Sequence, residues 1–247
     1  MTWFATNLPR QKHCFFGSEG GVSRGFYQGL NVNTKSDDDK ICLKTNLDNV
    51  ARYFGLNYEN LLLLNQGVSA NVEYISSPSQ DEVWADGAVT DQKNIILCIR
   101  TADCAPVLLA DYENGIIGAS HAGWRGAFAG VIENTVDLML AKGADIKNIV
   151  AAVGPCIAQK SYEVDQQFYD TIGVPAFFEA GKVGHWQFDL EAYCIDKLKK
   201  CGINNIEASG IDTYSETEKY YSFRRFTHQK LVKNPRCFPT EMSAIVL

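Results

Sequence analysis

An α/β fold, one domain of mixed sheets flanked by helices, is what this sequence predicts, on two observations. Apolar, β-prone runs ("NLLLLNQGVSANVEYIS", "NIILCIRTADCAPVLLAD", "GIIGASHAGWRG", "IVAAVGPCIA") alternate with segments whose apolar residues recur at helical spacing, and that alternation is the signature of layered α/β architecture. Across 247 residues there is no repeat, low-complexity tract or linker, and Gly and Pro are scattered as punctuation, so residues 1–247 form one domain.

Taken in order, "FFGSEGGVSRGFYQGLNVN" reads as a strand, a turn and a second extended piece. "DDDKICLKTNLDNVARYFGL" is a surface helix, with Asp37 to Asp39 suited to its positive N-terminal end and Gly55 as its stop. The next apolar runs have the length of buried strands and end in polar loops. "AFAGVIENTVDLMLAKGA" is an amphipathic helix beginning directly after Arg125 and Gly126 and closed by Gly143. "DQQFYDTIG" and "FDLEAYCIDKLKKCGI" are helices, and "KYYSFRR" is a late strand.

Composition narrows the function. Hydrophobic residues make up 46% and charged residues 21%, as in an ordinary globular protein. A formal net charge of -6 without a Lys/Arg block argues against nucleic-acid and anionic-membrane partners, since phosphate neutralisation needs clustered cations. The N-terminal segment lacks the basic start, apolar stretch and small-residue cleavage site of a signal peptide. No run approaches the ~18 to 20 apolar residues of a membrane span. Eight scattered cysteines without a CxxC pair read as reduced thiols, so a cytoplasmic location is expected.

Two strand-end segments, "RTADCAP" and "SHAGWRG", carry the chemistry: a hairpin around "YENG" would bring Cys104 and His121 to the same sheet edge. A thiolate beside an imidazole supports either part of a zinc site or a Cys–His nucleophilic pair. Taken singly, Cys104 reads more readily as a small core residue, and Asp86 and Asp103 as turn formers. The setting of His121, in a glycine- and tryptophan-containing loop followed by Arg125 at a helix start, is that of an anion site. Arg224 and Arg225 of "SFRR" are candidates for anion binding or for a solvated salt-bridge face. Trp124 could stack on a base, though closing the core is its commoner role.

In the order they occur, "FFGSEGGVSRGFYQGLNVN", "ADGAVT", "IRTADCAPVLLAD", "GASHAGWRGAFAGVIENTV", "VGPCIAQKSYEV" and "YYSFRR" resemble the YfiH/laccase-domain family over nearly the whole chain. The resemblance implies a YfiH-like fold, distantly similar to cysteine-type deamidase domains of bacterial toxins. It also implies phosphorolysis of adenosine, inosine, guanosine and methylthioadenosine, with adenosine deamination. Its metal ligands are a His in a Gln-Val-His-Gly stretch, the Cys of TADC and the His of HAGWRG, and the last two match Cys104 and His121. The first falls on Val68, with Gln66 on the glutamine, and the arginine of the family's "FFTR" is Ser18 here. Valine ligates nothing, so zinc would have two of the usual three protein ligands.

For phosphorolysis the resemblance implies Arg125 and the helix start behind it as the phosphate site, with Gln66, Arg224 and Arg225 as further substrate-binding candidates. For deamination a metal-bound water near Cys104 and His121 would attack C6, with Asp103 or a neighbouring polar group moving protons. An older label for the family, multicopper polyphenol oxidase, would need roughly ten copper-ligating histidines. Four in the chain (13, 121, 185, 228) leave only adventitious copper at Cys104 and His121. Two rival functions stay open: a metal-free amide or amidine hydrolase using Cys104 and His121, and a ligand-binding module that has lost its chemistry.

Overall fold

The computed structural model describes residues 2–78 and 83–247. Four layers stack: a helix, a four-stranded sheet, a six-stranded sheet, and a group of helices with a small third sheet.

The four-stranded sheet has the order β1 (His13–Phe15), β13 (Glu241–Ile245), β5 (Ile96–Thr101) and β2 (Leu61–Leu63). In the six-stranded sheet the order is β12 (Asn205–Ala208), β8 (Val150–Val153), β6 (Ala105–Asp111), β7 (Ile116–Ala122), β4 (Gly87–Thr90) and β3 (Val72–Tyr74). Parallel and antiparallel pairs occur in both, as a mixed sheet requires. β9 (Glu163–Asp165), β10 (Phe178–Ala180) and β11 (His185–Phe188) form the third.

Alternation along each strand assigns its side chains to two cores. On β5, Leu97 and Ile99 meet Leu108, Ile117 and Ala152 of the larger sheet, while Ile96 and Cys98 face α1 (Lys40–Tyr53) through Leu47 and Val50. The opposite face of the larger sheet, through Val107, Leu109 and Val153, packs on α3 (Val131–Ala141) and α5 (Leu190–Lys200). Strands buried on both faces explain why the sequence shows continuous apolar runs there. All eight cysteines are free thiols. No helix among the described residues is long and apolar enough to cross a membrane.

The expected layered fold is the observed one, with three local differences. The run from Asn60 to Ser76 divides into β2 and β3, and the intervening loop carries Gln66 to Ser69. The amphipathic helix starts earlier, at Trp124, and Gly130 at φ 102° breaks it into α2 (Trp124–Ala129) and α3, a left-handed position that glycine adopts freely. "KYYSFRR" is not a strand: it leads into α6 (Phe223–His228), because Ser222 caps the first turn by accepting the Arg225 N–H at 3.1 Å, and capping outweighs the β propensity of three aromatics. The remaining helix, α4 (Gln166–Ile172), is capped in the same way by Asp165.

Candidate active site

The β6–β7 hairpin sets the geometry. Its register pairs Ala105 with Ala122 and Pro106 with His121, so Cys104 leaves the sheet opposite Gly123. A Cβ on Gly123 would lie 2.9 Å from the Cys104 Sγ and 3.1 Å from Cγ1 of Val68. Only glycine permits that approach of chain to thiol.

β4 lies on the other side of β7, and Asp86 immediately precedes it. The His121 N–H donates to the Asp86 carbonyl at 2.6 Å, and the His121 ring Nδ1 lies 2.8 Å from Asp86 Oδ1. The loop after β2 wraps the same carboxylate: Val68 N–H donates to Oδ1, while Gly67 N–H, Ser69 N–H and Ser69 Oγ donate to Oδ2 at 3.1, 2.5 and 2.7 Å. Burial opposes ionisation of Asp86, but the imidazole and these donors outweigh it and bring the carboxyl down to about 2. His121 shows the reciprocal balance. Burial works against its charge, yet the Cys104 sulfur, hydrogen-bonded to the ring, and the Asp86 carboxylate lift it to about 10. The result is an Asp86–His121–Cys104 relay, its aspartate and histidine buried and its thiol partly exposed.

The relay faces a cavity of about 670 Å³, within the range that holds a nucleoside-sized ligand. Arg125, exposed on α2 with its guanidinium 4.5 Å from the Trp124 ring centre, and Arg224 on α6 both line it. Arg224 is anchored by donating to the Glu163 carbonyl at 2.7 Å and by lying over Tyr162. Trp84, Phe223 and Phe238 supply apolar wall.

Not every candidate reaches the cavity with a free group. Gln66 lines it, but its amide is committed to β5: Nε2 donates to the Arg100 carbonyl at 2.8 Å and Oε1 accepts the Arg100 N–H at 2.9 Å. Arg225 turns inward and donates to the carbonyls of Thr213, Tyr214 and Tyr220, pinning the chain before α6. Asp103, at φ 93°, spends both oxygens on Thr213 Oγ1, Ser222 Oγ and the Arg224 N–H. With burial dominant over these donors, its carboxyl is raised. Asp103 lines the cavity and ties the TADC turn to the start of α6.

Sequence reasoning did not assign Asp86 to the site, because its partner lies 35 residues away across a strand pair. The order "ADGAVT" held the only signal, an Asp directly before a strand. Tyr162, Lys35 and Arg100 also line the cavity without having been expected there. Lys35 contacts Asn65 and lies over Trp84, and Arg100 donates to Thr34 and the Leu64 carbonyl.

A three-ligand zinc does not fit these residues. Cys104 and His121 are two donors, the latter through Nε2, since its Nδ1 is turned to the Asp86 carboxylate. Neither Asp86 oxygen is free, and Val68 stands at the third position. His13 is locked between the Ala5 N–H and the Pro9 carbonyl, His228 meets Tyr214, and neither these nor His185 line the cavity. Among the described residues no group of three His, Cys, Asp or Glu side chains is placed to hold a metal.

Residues 12–231 match the family described as multi-copper polyphenol oxidoreductase laccase. A Rickettsia prowazekii protein named purine nucleoside phosphorylase is 38% identical over 213 residues, covering 82% of this chain and 83% of its own. A Deinococcus radiodurans protein of the same name is 36% identical over 86% of this chain and 83% of its own. Among solved structures, a Neisseria meningitidis protein of the DUF152 family superposes with a TM-score of 0.87 at 29% identity, covering 100% of this chain and 98% of the other. The Bacillus licheniformis protein YfiH gives 0.87 at 24% identity over 95% and 92%, a likeness of fold.

Proposed function

From a chain that belongs to the multi-copper polyphenol oxidoreductase laccase family, and whose relatives at 38% and 36% identity carry the name purine nucleoside phosphorylase, we propose an enzyme that cleaves purine nucleosides with phosphate. The observation that carries this reading is the Asp86–His121–Cys104 relay facing a cavity edged by Arg125 and Arg224. Phosphate, held by the two guanidiniums, attacks C1′ of the ribose as the bond from C1′ to the purine nitrogen breaks. The electron pair of that bond goes to the base, and His121, charged at neutral pH, donates the proton that makes the base a neutral leaving group. Asp86 fixes the ring and keeps it charged, and the Cys104 sulfur stabilises the same imidazolium.

No metal enters this sequence of events. Adenosine deamination, which needs an activated water, draws no support from the donor set, so loss of the family's first histidine weighs on deamination more than on phosphorolysis. Copper oxidase chemistry would need many more imidazoles than His121 alone, and the other three histidines lie off the cavity.

Chromatography of adenosine, inosine and methylthioadenosine with phosphate and the purified protein tests the proposal. Free base and ribose 1-phosphate are expected, and both should vanish in Cys104→Ala and His121→Ala. Turnover that survives both substitutions would sink it.

The same relay favours one second reading, an amide or amidine hydrolase in which Cys104 attacks carbon, the C–N bond breaks, His121 protonates the departing amine, and water then cleaves the C–S bond to release the product and restore the thiol. That reading requires iodoacetamide to label Cys104 faster than the other seven thiols at neutral pH, together with an absence of phosphorolysis. Nucleoside retention without any turnover would leave a binding module.

A further inference from the structure

Val68 is the most unusual residue in the cavity wall. Its φ is 60°, a left-handed conformation that β-branched side chains avoid because their second γ-carbon crowds the backbone. Glycine, asparagine and histidine tolerate that conformation far better. The backbone is nevertheless firmly held there, since the N–H groups of Gly67, Val68 and Ser69 all donate to the single Asp86 carboxylate. A short loop tied at three successive amides cannot relax to suit the side chain it carries.

The side chain of Val68 also has a definite place. Its Cγ1 and the Cys104 Sγ both lie within 3.1 Å of the one point where a Gly123 Cβ would sit. The methyl and the thiol thus border the same face of Gly123, and the side chain at position 68 brings no donor to it.

We infer that Val68 has replaced an ion in this site: the chain holds no zinc at Cys104 and His121, and the strained left-handed loop is ready to take a ligand back through one substitution. The donor inventory, the backbone conformation and the position of the Val68 methyl are independent grounds for it. Whether nucleosides are turned over does not bear on this count of ions, so the inference can fail while phosphorolysis stands, and the reverse.

The test is zinc stoichiometry by mass spectrometry on protein incubated with excess zinc and desalted. Wild type is expected below about a tenth of an ion per chain, whereas Val68→His should bind about one, with a third ligand completing a tetrahedral site that keeps one open position. That zinc should be lost again in the Val68→His, Cys104→Ala double variant. One ion per wild-type chain that disappears on Cys104→Ala would overturn the inference, as would a folded Val68→His protein that gains none. Val68→Gly supplies a reading that needs no metal: relief of the left-handed strain predicts a melting temperature at or above that of wild type, despite the lost methyl groups. A clear fall would show that the conformation suits valine after all.

Discussion

Asp86, just before β4, and Asp103, in the turn between β5 and β6, are two buried aspartates that behave oppositely. Asp86 meets an imidazole and four donors from one loop, and its carboxyl is held near 2. Asp103 meets two hydroxyls and one amide, all neutral, with the nearby Arg225 guanidinium contributing less, and burial raises it. Burial is the largest influence on both carboxyls and weighs more heavily on Asp103, and the imidazole beside Asp86 has no counterpart at Asp103. A carboxylate paired with a group that can accept its charge becomes part of the chemistry, while one surrounded by neutral donors becomes a tie between loops.

That contrast orders the expected effects of mutation. Removing the acid, His121→Ala, should cost about 10³-fold in kcat, the middle of the range for general acid catalysis. Asp86→Asn keeps the shape but removes the charge and replaces one acceptor oxygen with a donor amide, and should cost about 10²-fold in kcat with little change in KM. If Asp103→Asn lowers kcat as much as Asp86→Asn does, the distinction between the two aspartates collapses. The expected result for Asp103→Asn is instead a stability loss of about 1–3 kcal/mol in urea denaturation, from donors left without an acceptor, with kcat within several-fold of wild type. Gly123→Ala sharpens the same picture sterically: its methyl would press on Cys104 and Val68 and should cost about 1–3 kcal/mol together with activity.

The smallest effect is the pH dependence of stability. His121 is raised, so its contribution is complete below its ordinary value of 6.5 and is lost as pH climbs through about 10. Asp86 is lowered, so its contribution is present above 3.8 and fades as pH falls through about 2. Thermal melts of Asp86→Asn should therefore run closer to wild type at the two extremes than at pH 7. A constant gap across the whole range would place the origin of the Asp86 effect elsewhere.

Much of this arrangement was legible in the sequence. The continuous apolar runs marked β5 to β8, and the short "YENG" connection between β6 and β7 implied the hairpin that sets Cys104 beside His121. Contacts between residues distant in the chain were not legible. Asp86 reaches His121 only because β4 pairs with β7, a choice made by the whole sheet. Arg224 and Arg225 are adjacent in sequence, yet a helix where a strand was expected sends one to the cavity and the other to buried carbonyls. Val68 is named by the motif, but its strain is visible only in the backbone.

The most direct test of the central claim is inosine phosphorolysis by protein stripped with a chelator and assayed without added metal. Undiminished release of hypoxanthine and ribose 1-phosphate, abolished by His121→Ala, is the predicted result. Activity that is absent after stripping and returns with zinc would show that an ion, rather than the Asp86–His121–Cys104 relay alone, drives the cleavage.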